Sequence, residues 1–124
     1  MIAIKPEISD HVEFHCSNEE YETISGILDA SKTNFSNIDF YLDNVTEACL
    51  ENLNNIWAEA EEAPLIMKTD DFWKLSRIVS RTDTLNIEHL DVKQRKNVVD
   101  QMLNINSYKA LSPETFRSAG TKYD

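Results

Sequence analysis

Glycine is nearly missing from this 124-residue chain: there are two, Gly26 and Gly120, far apart. A Walker loop or a dinucleotide fingerprint needs clustered glycines so that backbone N–H groups can close on phosphate. The Gly-x-Ser-x-Gly elbow of serine hydrolases needs them for a tight turn. All three are excluded. Cysteine is equally scarce, and Cys16 and Cys49 fall on apolar stripes, so both are expected as reduced, buried small hydrophobes. No apolar run approaches the ~18 residues of a membrane helix. The opening Met-Ile-Ala-Ile-Lys-Pro-Glu-Ile-Ser-Asp lacks a basic region followed by an apolar one, which leads us to expect a cytosolic protein. The sequons at Asn34 and Asn44 then carry no meaning. Basic residues are also few, with 12 Lys and Arg against 22 Asp and Glu, for a formal net charge of −10.

What is present reads as one ordinary globular domain spanning 1–124. Hydrophobic residues make up 41 % and charged residues 27 %, which excludes wholesale disorder. Residues 2–5 and 11–16 read as two short strands around a turn at 6–10. Val12, Phe14 and Cys16 alternate against His11, Glu13 and His15. Ser17 and Glu20 are spaced as a capping box, with Cys16 and Tyr21 as its staple. The helix they open, over 18–32, carries Tyr21, Ile24, Ile27, Leu28 and Ser31 on one side. Gly26 sits inside it at a cost of about 1 kcal/mol relative to Ala.

From a cap at Ser36, apolar residues recur as Ile38, Tyr41, Leu42, Val45, Cys49, Leu53, Ile56 and Ala60, widened by Leu50 and Trp57. That pattern predicts one helix to Ala63, stopped by Pro64, roughly 39 Å long at 1.5 Å per residue. Its weak point is Asp43-Asn44. Leu65-Ile66-Met67 reads as an apolar connector. Thr69 is expected to cap a third helix with Phe72, Leu75, Ile78 and Val79 inside. Residues 82–90 fit either a strand or a helical turn. Asp91 and Gln94 open a fourth helix to about Leu103, with Val92, Val99, Met102 and Leu103 inward. Ser112-Pro113-Glu114 marks a last short helix ending near Gly120, before a tail at 119–124. The expected fold is mainly α: a compact bundle of four to five helices around one long central helix, with a short N-terminal β element.

Charge is distributed unevenly. Residues 1–62 hold 14 carboxylates and only two basic residues, Lys5 and Lys32. Glu59, Glu61 and Glu62 fall in the last turn of the long helix, where the dipole disfavours anions. Asp43, Glu47 and Glu51 repeat at four-residue spacing, which is like-charge repulsion. Departures from local rules of this kind concentrate at functional sites. We therefore expect these six carboxylates to form a surface for a basic protein, with Trp57 as its aromatic anchor. Trp73, Tyr41 and Phe40 are further aromatics too numerous for one helical face. The same field repels nucleic-acid phosphate, so no direct nucleic-acid contact is expected, and no cofactor or metal.

Other chemistries fit less well. His11, Glu13, His15 and Cys16, with His89, are the best enzyme-like constellation. On a strand the two imidazoles would stand about 13 Å apart, too far to chelate one ion unaided. Arg77, Arg81, Lys93, Arg95 and Lys96 accompany two successive helices, but the ~nine-residue join without glycine is a poor helix-turn-helix. In size, acidity and lack of motifs the chain resembles the immunity proteins of bacterial toxin–immunity pairs; the likeness is compositional and transfers no residue. It implies a non-enzymatic inhibitor that blocks a basic toxin such as a nuclease. The alternatives are a phage- or mobile-element-encoded inhibitor of a defence nuclease, a small metal-dependent enzyme using His11 and His15, and a structural or oligomerisation domain.

Overall fold

The computed structural model describes residues 1–7 and 10–106. The strict alternation near the start forms strands β1 (Ala3–Pro6) and β2 (His11–His15), paired antiparallel with Ile4 opposite Phe14 and Lys5 opposite Glu13. The expected connector after Pro64 is instead a third strand, β3 (Leu65–Lys68), which pairs antiparallel with β2 to give the order β1-β2-β3. Leu65 and Met67 are buried while Ile66 and Lys68 are exposed. Because the exposed Ile66 is itself apolar, the sequence shows a continuous apolar run in place of a strand's alternation. The inner face of the sheet buries Ile4, Val12, Phe14, Leu65 and Met67 against the helices.

Helix α1 (Asn18–Thr33) begins with the predicted capping box. Ser17 Oγ accepts from the Glu20 N–H at 3.1 Å, and Glu20 Oε1 accepts from the Ser17 N–H at 2.8 Å. Tyr21, Ile24, Ile27, Leu28 and Ser31 are all buried, as their spacing requires. The Glu20 carboxylate is itself buried and serves more than the cap. It takes the N-terminal ammonium at 2.8 Å and the Gln101 amide at 2.6 Å, while Gln101 Oε1 accepts from the Ile2 N–H at 2.6 Å. Burial alone would raise its pKa; the ammonium, the Ser17 N–H and the Gln101 amide together hold it below its ordinary value.

The long central helix does not form. Residues 35–37 and 40–43 are two 3₁₀ turns, and helix α2 is confined to Glu47–Ala60. The chain breaks at the predicted weak point: Asn44 takes a left-handed φ of 57°, which Asn tolerates better than most residues. Thr46 then caps α2, its Oγ1 accepting from the Cys49 N–H at 3.2 Å. The bend buries Phe40 completely and stacks it on Phe35 at 5.7 Å, contacts that exist only because the segment turns. Among the described residues no helix is long and apolar enough to cross a membrane.

Helix α3 (Thr69–Arg81) buries Phe72, Leu75, Ile78 and Val79 as expected, although Lys68 rather than Thr69 holds the cap position. Residues 82–84 form a 3₁₀ turn, so the ambiguous 82–90 segment is neither strand nor full helix. Helix α4 (Val92–Asn106) starts where Asp91 Oδ2 accepts from the Gln94 N–H at 2.9 Å. Its inner face is Val98, Val99, Met102 and Ile105. Val92 and Leu103, expected inside, are 79 % and 47 % exposed, because Val98 and Ile105 complete the buried stripe in their place. The short helix expected near 112–120 and the tail at 119–124 lie outside the described residues. Both cysteines are free and half-buried; burial and then the nearby Glu20 push the Cys16 thiol up to about 12, which disfavours its thiolate.

Replacing Glu20 with Gln is expected to cost roughly 1–3 kcal/mol at neutral pH, since buried partners of a charged group lose their match. A carboxyl whose folded pKa is depressed stabilises above its unfolded value and loses that contribution as pH falls through the folded one. The gap between wild type and E20Q in urea midpoints should therefore narrow on acidification; a gap independent of pH would refute the hub role.

Candidate functional site

Helices α1 and α2 pack antiparallel, and their alignment is set by one reciprocal pair. Tyr21 stacks on Trp57 with centroids 5.3 Å apart; the Tyr21 hydroxyl donates to the Trp57 carbonyl, and Trp57 Nε1 donates to the Tyr21 carbonyl at 3.1 Å. Phe14 of β2 meets the indole edge-on at 5.5 Å. Further along, Asn54 Nδ2 donates to Leu50 O at 2.9 Å and to Leu28 O at 3.4 Å, bridging α2 to α1. Trp57 is 3 % exposed, so it is a core residue and not the surface anchor expected above. Its large apolar area and single N–H are both satisfied inside.

Against this pair the segment before α4 folds back and leaves a groove of about 850 Å³. One wall is α1, which presents Glu19, Glu22 and Asp29 in a single stripe at helical spacing, with Gly26 between them. Asp91 and His89 contribute from the other side, and Asn54 and Ala58 come from α2. Among the described residues the lining contains four carboxylates and no lysine or arginine. Gly26 explains how the walls approach: a Cβ there would stand 2.7 Å from Leu90 Cδ2. The mid-helix glycine therefore makes room for Leu90, which forms part of the groove surface.

The carboxylates singled out from the sequence fall into different places. Asp43 is not on α2; it closes a 3₁₀ turn and pairs with the Arg81 guanidinium, while Lys74 Nζ donates to the Asn44 carbonyl at 3.1 Å. Hydrogen bonding and charge from Asp43, with Asp39 nearby, hold the Arg81 pKa above its ordinary value. Asp43 therefore pins the bend to α3, and its charge is spent internally. Glu47 lies in the first turn of α2, where the dipole favours it, and Glu51 follows one turn on; both are exposed. Glu59 is exposed in the last turn, and Glu61, with φ 65°, and Glu62 are exposed just beyond. Burial, then Cys16, Glu22 and Glu61, raise the Tyr21 phenol pKa, which places Glu61 and the groove's Glu22 around one ring.

None of the six expected carboxylates lines the groove. The ones that do were readable only as a solvated face of α1, although Glu19, Glu22 and Asp29 flanking a mid-helix glycine was the available signal. On the outer face of the sheet, His15 Nε2 lies 2.6 Å from Glu13 Oε1, and Lys5 Nζ lies 3.5 Å from the same oxygen. The His15 hydrogen bond, more than these charges, lowers the Glu13 pKa. Among the described residues no three His, Cys, Asp or Glu side chains converge to hold a metal. Of the basic residues considered for a helix-turn-helix, Arg81 is committed to Asp43, and Arg95 Nη1 donates to the Leu85 carbonyl. Compared with protein-family models, with curated proteins and with solved structures, the chain gives no match.

Two outcomes separate core from surface. Trp57→Ala should cost about 3–5 kcal/mol in chemical denaturation, the range for a truncated core aromatic. Glu59→Gln with Glu61→Gln should instead raise the urea midpoint, because anions leave the negative end of a helix dipole, and the gain should shrink in high salt.

Proposed function

We propose that the protein is a cytosolic, non-enzymatic inhibitor that blocks the cationic, nucleic-acid-binding site of a basic protein, with a nuclease toxin as the partner its chemistry suits best. The observation that supports this most directly is the concave surface carrying Glu19, Glu22, Asp29 and Asp91 with no lysine or arginine among its described lining. A site built to hold phosphates presents lysines and arginines at phosphate spacing, and fixed carboxylates can stand in for them. The net charge of −10 adds long-range attraction, which raises association rates about 10–10³-fold at low ionic strength. An interface of about 800 Å² per partner lies within reach of a domain this size.

In this reading Glu61 and its neighbours Glu59 and Glu62 extend the negative field beside the groove, and Glu51 acts at longer range. Asp43 and Trp57 have structural roles instead. The test uses the protein immobilised against lysate of its source cell, beside a variant carrying Glu19→Gln, Glu22→Gln and Asp29→Asn. Wild type should retain a basic protein that elutes as salt rises from about 0.05 to about 0.5 M, where screening shortens the reach of surface charge. The variant should lose it, and added wild type should suppress the partner's nuclease activity. Equal retention by both, or capture without inhibition, would overturn the proposal.

A further inference from the structure

The bend that replaces the long helix creates a second recess, of about 480 Å³, between residues 35–40 and the start of α2. Its inner walls are apolar, with Phe40 and Val45 buried and Phe35 and Ile38 half-buried, while Ser36 and Thr46 line it from exposed positions. Its rim is acidic, with Asp39 and Glu47 both exposed. Among the described residues no lysine or arginine lines it. Arg81 lies near enough for Asp39 to raise its pKa, but its guanidinium is bonded to Asp43. Phe35 stacks on Phe40 at an interplanar angle of 28°, so one face of a partly exposed ring is backed by a buried one.

We propose that this recess is a socket for one arginine side chain of the basic partner. An arginine has an apolar stem and a charged head, which is the order in which apolar wall and acidic rim are met from inside to outside. Its planar guanidinium stacks on an aromatic face and bonds a carboxylate in the same pose, which an ammonium does less well. A single long side chain seated in a preformed recess is also how a few residues dominate an interface. The inference rests on the partner being basic, as proposed above, but concerns a surface that shares no lining residue with the groove.

The test is an NMR titration of the isotope-labelled protein with N-acetyl-arginine methylamide, with the lysine and norleucine analogues as controls. Saturable shifts should centre on the amides of Phe35, Ile38, Phe40, Val45 and Glu47, and arginine should bind about two- to fivefold more tightly than lysine. Glu47→Gln and Asp39→Asn should each weaken arginine, and Phe35→Leu should erase its advantage over lysine while leaving the recess apolar. The groove variant of the previous section should titrate like wild type, so the two surfaces stand or fall separately. Non-saturating shifts spread over the acidic surface, or norleucine binding as well as arginine, would overturn the socket. So would shifts at these amides that depend on protein concentration alone, which would make the recess a contact between two copies of the chain.

Discussion

Most of this structure depends on the Tyr21–Trp57 pair. Each side chain donates a hydrogen bond to the other's backbone carbonyl, and their rings stack, so α1 and α2 are held in one register and one direction. The Trp57 carbonyl lies in the last turn of α2. It accepts from both the Tyr21 hydroxyl and the Glu61 N–H. The same two bonds thus finish α2, bury the largest side chain of the core and bring the acidic end of one helix beside the acidic start of the other.

Carboxylates divide into two classes with different consequences. Glu20 and Asp43 are paired within the chain and hold it together: Glu20 joins the N-terminus, α1 and α4, and Asp43 fastens the 40–43 turn to α3 through Arg81. Glu19, Glu22 and Asp29, with Glu59, Glu61 and Glu62, have no such pairing among the ion pairs of the described residues. Concentrating unpaired charge on one side raises the self-repulsion of the folded state. An approaching cation would relieve that repulsion, which is the physical basis of the recognition role proposed for this surface.

Signals confined to a few neighbouring residues are legible in the sequence. The Ser17–Glu20 box, the inner faces of α1 and α3, the alternation of β2 and the Asp91 cap all follow from spacings of two to four residues, and each appears as expected. The long helix fails to form for a related reason. Tyr41, Leu42 and Val45 continue a helical period whether or not the backbone continues, and the left-handed Asn44 ends it at a cost that Phe40 burial and the Thr46 cap offset. The β3 segment was hidden because its pattern acquires meaning only beside β2.

Composition and spacing by themselves established the mainly helical class, the Ser17 and Asp91 caps, much of the core and the negative charge of the first half. Each of these is a property of neighbouring residues or of the total. Tertiary packing decided which carboxylates are free and which are spent, that Trp57 faces inward, and that α1, α2 and the segment before α4 enclose a groove. Those outcomes depend on pairs such as Asp43–Arg81, Tyr21–Trp57 and Gly26–Leu90, each more than 30 residues apart in the chain. No window of adjacent residues contains both members, so only the folded chain could reveal the contact.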